Sequence, residues 1–144
     1  MKLILIKQTH SSKVIRINKT NLNKNLEADG MITSLNNIVL GVLTADCAPI
    51  LFYDPVRKVI ACAHAGWRGA LNGVIKNTVE QFNKLNCNKE DIIAAVGPCI
   101  EQKNYEVGLD FYEKMVFTLL DWTRSTGNRR EAKRRPLQRR VQPW

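Results

Sequence analysis

The chain contains two histidines, His10 and His64, each at the junction between a strand-like run and a loop of small or polar residues. Cys47 lies between them and follows Asp46 at the end of an apolar run. Two imidazoles and one thiolate form a soft-to-borderline donor set suited to Zn2+ or copper. Three protein donors leave a fourth position for water or substrate, the arrangement of a catalytic rather than a structural zinc. Positions 10, 47 and 64 lack the local regularity of a zinc finger, so the residues alone also allow a blander reading. In that reading Cys47 is simply buried and the histidines are hydrogen-bonded loop residues. A further reading makes Cys47 a nucleophile with His64 as its base.

These residues need elements to hold them. Leu3 to Ile6 and Lys13 to Ile17 have the composition of short strands flanking the loop Gln8-Thr9-His10-Ser11-Ser12. The Asn/Lys-rich stretch Asn18 to Asn25 is an exposed loop, and Asp29-Gly30 marks a turn. Ile38 to Leu43 is β-branched and apolar, a buried strand leading to Cys47. Pro49 to Tyr53 and Lys58 to Ala63 predict a hairpin about Asp54-Pro55. After His64, Leu71, Val74, Ile75, Thr78, Val79, Phe82 and Leu85 recur at helical spacing. A strand is expected over Ile92 to Val96, and a second helix over Leu109 to Asp121 with Phe111, Met115, Val116 and Leu119 inward. Several strands adjoin before the helix, so the expected class is α+β, a layered sandwich with a mixed sheet rather than a regular βαβ winding.

Composition narrows the class further. The 44% hydrophobic and 24% charged fractions are those of an ordinary soluble protein. No apolar run approaches the ~20 residues of a membrane span, and Leu3 to Ile6 is too short for a signal-peptide core. A cytoplasmic location is therefore expected, with Cys47, Cys62, Cys87 and Cys99 as thiols or metal ligands rather than disulfides. The net charge of +9 is unevenly spread: 8 of the 22 basic residues, and only one of the 13 acidic ones, fall within residues 122–144. That divides the chain into a domain over 1–121 and a basic, disordered tail over 122–144. Seven arginines in the tail would attract nucleic-acid phosphates. No aromatic interleaving or recognised nucleic-acid fold accompanies them, which argues against that partner.

Gln8-Thr9-His10, Ala28-Asp29-Gly30-Met31, Thr44-Ala45-Asp46-Cys47-Ala48-Pro49, His64-Ala65-Gly66-Trp67-Arg68-Gly69, Gly97-Pro98-Cys99-Ile100 and Tyr105-Glu106-Val107-Gly108 stand in this order. The series resembles the YfiH-like family, also called the laccase-domain or multicopper polyphenol oxidoreductase family. The resemblance runs from about Gln8 to Leu120. It implies that His10, Cys47 and His64 bind a metal, Zn2+ or Cu2+. It also implies phosphorolysis of purine nucleosides such as adenosine, inosine and methylthioadenosine, plus adenosine deamination. The partners would be a purine nucleoside and phosphate. The laccase label implies polyphenol oxidation with copper, but a multicopper centre needs more than two histidines.

Within that chemistry Arg68 has the planar fork to grip phosphate, or else forms a structural ion pair. Asp46 is a general base or an orienter of a metal ligand, or else a surface-turn carboxylate. Trp67 either stacks on a purine or packs. Cys99 lies in a family motif and borders the expected pocket. Family members are longer: the segment before Gln8 is short here, and the usual portion after Asp121 is replaced by the arginine-rich stretch. That shift resembles translation in an altered frame. The expectation is a domain clipped at both ends, with weak or no turnover.

Overall fold

The turn expected at Asp54-Pro55 joins the two longest strands of the protein. In the computed structural model, which describes residues 1–126, the strands are β1 (Lys2–Ile4), β2 (Val14–Arg16), β3 (Gly30–Thr33), β4 (Ile38–Leu40), β5 (Ala48–Asp54), β6 (Val59–Ala65) and β7 (Ile93–Val96). The helices are α1 (Trp67–Leu71), α2 (Val74–Lys84) and α3 (Leu109–Thr126). β5 and β6 pair antiparallel, from Ala48 opposite Ala65 to Asp54 opposite Val59. Asp54 Oδ1 closes the turn by accepting from the N–H groups of Val56 and Arg57, at 2.8 and 2.9 Å. Lys58 completes the reversal in the left-handed region, with φ of 53°.

The chain forms two compact units, Met1–Glu101 and Gln102 onward. In the first, a five-stranded sheet runs in the order β2-β3-β6-β5-β7, and β1 and β4 make a separate parallel pair. β2 and β3 are parallel, whereas β3, β6, β5 and β7 meet antiparallel. This is the mixed sheet of an α+β protein. Strand alternation gives β6 two buried faces. Val59, Ala61 and Ala63 join Ile32, Ile50, Phe52, Val74 and Phe82 in one core beneath α2. Cys62 joins Ile4, Ile17 and Met31 in the other, beside the β1–β4 pair.

Three expectations are corrected. Asp29-Gly30 is no turn: Gly30 opens the interior strand β3, paired with Ala63. A β-carbon on Gly30 would lie 2.9 Å from Val14 Cγ2, so the glycine serves close packing. The helix expected from Leu71 to Leu85 is broken at Gly73, whose φ of 88° is left-handed. α2 then buries Val74, Thr78 and Phe82 and leaves Ile75 exposed. The strand expected over Ile38 to Leu43 ends at Leu40, and Leu43 is 70% exposed. The Leu43 backbone is instead bonded by a side chain: Gln8 Nε2 donates to its carbonyl at 2.8 Å, and its N–H donates to Gln8 Oε1 at 2.7 Å.

In the second unit the Gly108 carbonyl accepts from the N–H groups of Phe111 and Tyr112 at the start of α3. The Tyr105 and Phe111 rings meet edge to face at 5.8 Å. Phe111, Met115 and Val116 are half-buried. α3 runs past Asp121 to Thr126, so it includes Trp122 to Thr126, the first residues of the expected tail. The rest of the basic segment, 127–144, lies outside the described residues, as does the burial of Leu119. No helix among the described residues is long and apolar enough to cross a membrane.

Candidate metal centre

Three chain segments deliver the donors. His10 lies in the loop between β1 and β2, Cys47 immediately precedes β5, and His64 is the penultimate residue of β6. One donor atom from each falls within 4.8 Å of the others. Cys47 Sγ lies 3.9 Å from His10 Nε2, and the two imidazoles meet edge to face with centroids 4.7 Å apart. His64 is buried, Cys47 half-buried and His10 exposed, so the cluster opens to solvent on the His10 side.

The local backbone is shaped for this approach. His10 has a φ of 56°, the left-handed region that non-glycine residues enter at a cost. Gly66 stands against the cluster, where a β-carbon would lie 2.9 Å from His10 Cδ2 and 3.0 Å from Cys47 Sγ. Gly69 lets the first turn of α1 approach the same loop, because a β-carbon there would meet the Ser11 carbonyl at 2.9 Å. The spacing of the two glycines in His-Ala-Gly-Trp-Arg-Gly thus follows from two close approaches to the 8–12 loop.

Asp29, expected in a turn, is a central polar group here. It is fully buried, and its carboxylate accepts from His64 Nδ1 at 2.8 Å and from the N–H groups of His10 and Ser11 at 2.9 and 2.6 Å. Burial pushes this carboxyl up, but hydrogen bonds from His64, Ser11 and Thr9 outweigh it and hold the pKa down at about 2. An ionised carboxylate only accepts, so His64 Nδ1 carries the proton and a neutral ring keeps its lone pair on Nε2. The one advance signal was the pairing of Asp29 with Gly30 in the Ala-Asp-Gly-Met segment.

The donor set fits a tetrahedral divalent ion. Zinc bonds to nitrogen at about 2.0 Å and to sulfur at about 2.3 Å, so neighbouring donors sit roughly 3.5 Å apart. The 3.9 Å pair needs little adjustment, and the 4.8 Å limit needs about one ångström of side-chain motion. The Cys47 thiol is raised above its usual value by burial first, then by the negative charges of Asp46 and Asp29. That is the reverse of the activated thiolate of a cysteine hydrolase. A bound cation would reverse it.

The structure does not gather every expected residue into the cluster. Asp46 is exposed, and its carbonyl accepts from the Ile100 N–H at 3.0 Å. Arg68 is exposed, with its guanidinium 4.9 Å from the centroid of the Trp67 ring. All four cysteines are free; Cys62 and Cys87 are each buried in one of the two core clusters, and Cys99 is exposed.

A mixed-sheet α+β fold with a convergent His/Cys/His cluster defines a candidate metalloprotein. The chain belongs to the family described as multi-copper polyphenol oxidoreductase laccase, whose model matches residues 1–138. A relative from Haemophilus influenzae named purine nucleoside phosphorylase is 44% identical over 113 residues, 78% of this chain and 44% of its own length. A protein of an unknown prokaryotic organism named adenosine deaminase RL5 is 35% identical over 130 residues, 83% of this chain and 50% of its own. Among solved structures, YfiH of Bacillus licheniformis aligns with a TM-score of 0.73 at 31% identity, over 79% of this chain and 46% of that one. YlmD of Geobacillus stearothermophilus aligns with a TM-score of 0.74 at 26% identity, over 83% and 46%. The chain spans about half the length of the relatives it matches.

Proposed function

We propose that this chain carries the metal site of a purine nucleoside phosphorylase, with Zn2+ held by His10, Cys47 and His64. The carrying observation is the convergence of those donors within 4.8 Å, in a chain whose relatives bear that activity's name. When bound, the metal supplies Lewis acidity and positive charge beside the loop that carries His10. Arg68, exposed at the start of α1, is the cation assigned to phosphate, whose oxygens its fork matches. Asp46, exposed and next to Cys47, is the carboxylate assigned to take a proton from the attacking nucleophile. The substrates of this reading are a purine nucleoside and inorganic phosphate.

Adenosine deamination is the second reading, favoured by the likeness to the relative named adenosine deaminase RL5. Polyphenol oxidation draws less support, because this chain's two histidines fall short of a multicopper cluster.

The test is metal analysis of the purified chain with assay of phosphate-dependent hypoxanthine release from inosine, each repeated on Cys47→Ala. Near-stoichiometric zinc and hypoxanthine release are expected, both lost in the variant. Protein purified without zinc or copper overturns the metal assignment. Zinc without hypoxanthine release overturns the phosphorylase reading for this chain, and ammonia release from adenosine then decides for deamination.

A further inference from the structure

We infer that Asp29 is a positioning residue that assembles the metal site before any metal binds, because one carboxylate fixes both the His10 backbone and the ring orientation of His64. Asp29 Oδ1 receives two of these groups, the His10 N–H at 2.9 Å and His64 Nδ1 at 2.8 Å. Oδ2 receives the others: the Ser11 N–H at 2.6 Å and hydroxyl at 2.7 Å, and the Thr9 N–H and hydroxyl, both at 3.2 Å. Both carboxylate oxygens are therefore taken up by groups of the 8–12 loop and β6.

Register explains why this residue can do it. Gly30 lies opposite Ala63, so the next pair along the ladder is Asp29 and His64, on the face opposite α2. The His64 N–H donates to the Asp29 carbonyl at 2.7 Å, so His64 is held by backbone and ring together. The left-handed backbone of His10 is costly for a residue other than glycine and persists only where its surroundings impose it. The bond from the His10 N–H to Oδ1 is that imposition. Hydrogen bonds from a histidine's second nitrogen to a carboxylate set which nitrogen is left to bind metal. Asp29 thus presents Nε2 of His64, and it acts on the site through His64 and His10.

This inference rests on the metal reading for its consequence but not for its geometry, and the experiment separates the two. The 15N-labelled full chain, stripped of metal, is examined by long-range 1H–15N correlation at the histidines and by amide hydrogen exchange. The expected result is a His64 ring protonated at Nδ1, with protected amides at His10 and Ser11. Zinc affinity is then measured by chelator competition for wild type, Asp29→Asn and Cys47→Ala. Asp29→Asn should bind zinc about 10–100-fold more weakly, lose the Nδ1 preference and lose amide protection in the loop. Cys47→Ala should lose zinc and keep both signatures. Predominant Nε2 protonation in the metal-free wild type overturns the inference, and so does unchanged zinc affinity in Asp29→Asn. Should Asp29→Asn not fold, the wild-type tautomer still decides. Should wild type bind no zinc, the metal reading falls and the tautomer result judges Asp29 by itself.

Discussion

Gly66 leaves the space that the Cys47 sulfur occupies, since a β-carbon on it would stand 3.0 Å from Sγ. Its φ of −68° and ψ of 162° are open to any residue, so the need for glycine is steric and local. Gly66→Ala should therefore fold, with His10 and Cys47 pushed apart. We expect zinc affinity at least tenfold weaker and a far-UV spectrum like that of wild type. Unchanged affinity would mean the cluster relaxes around a methyl group, contrary to the packing described.

Gln8 pairs with the Leu43 backbone through two bonds and so tethers the segment that leads to Cys47. Gln8→Ala removes both. Each is worth about 1 kcal/mol at a partly exposed site, so urea titration should show roughly 1–2 kcal/mol of lost stability. Zinc binding should weaken alongside, because Cys47 is no longer held in reach. A stability loss with zinc affinity intact would confine Gln8 to the fold.

Residue types alone leave His10, Cys47 and His64 open between metal donors and ordinary loop or buried residues, and it is the order of the family motifs that singles them out; the β5–β6 hairpin is legible because Asp54-Pro55 is a local signal. The role of Asp29 is not legible, because its partner His64 lies 35 residues away and leaves no spacing pattern. Gly30 misled for a physical reason: glycine after aspartate reads as a turn, whereas here it admits the Val14 side chain. The break at Gly73 was hidden because apolar spacing continues through it; only its left-handed φ separates α1 from α2. Chemistry and motif single out Asp46 and Arg68, and neither property fixes where a surface side chain points.

Phe82 is fully buried at the centre of the core under α2 and meets Phe52 at a ring separation of 6.3 Å. Phe82→Ala should cost about 3–5 kcal/mol, the range for emptying a buried aromatic site. Urea denaturation measures it. A loss below about 1 kcal/mol would show that α2 does not seal this core.

Burial pushes the Cys62 thiol up to about 12, and burial followed by Asp54 does the same for Cys87. Both folded values exceed the ordinary 9.0, so stability from these neutral thiols is complete below pH 9 and is lost as pH rises toward 12. The urea midpoint should fall between pH 8 and pH 10 by more in wild type than in a Cys62→Ala/Cys87→Ala double variant. In the native metal-free chain a thiol reagent at pH 8 should reach Cys99 and Cys47, and zinc should shield Cys47. Equal midpoint shifts in the two proteins would refute the assignment.

Position 10 must satisfy two independent filters. Its φ of 56° admits glycine readily and favours asparagine, aspartate and histidine over other side chains. A saturation library sorted only for folded protein should thus return a small, recognisable set of residues. Sorting the survivors for zinc should leave histidine and aspartate, the members of that set whose side chains ligate zinc. Tolerance to mutation at this position is narrow before any catalytic demand is placed on it, and the narrowing comes from the backbone.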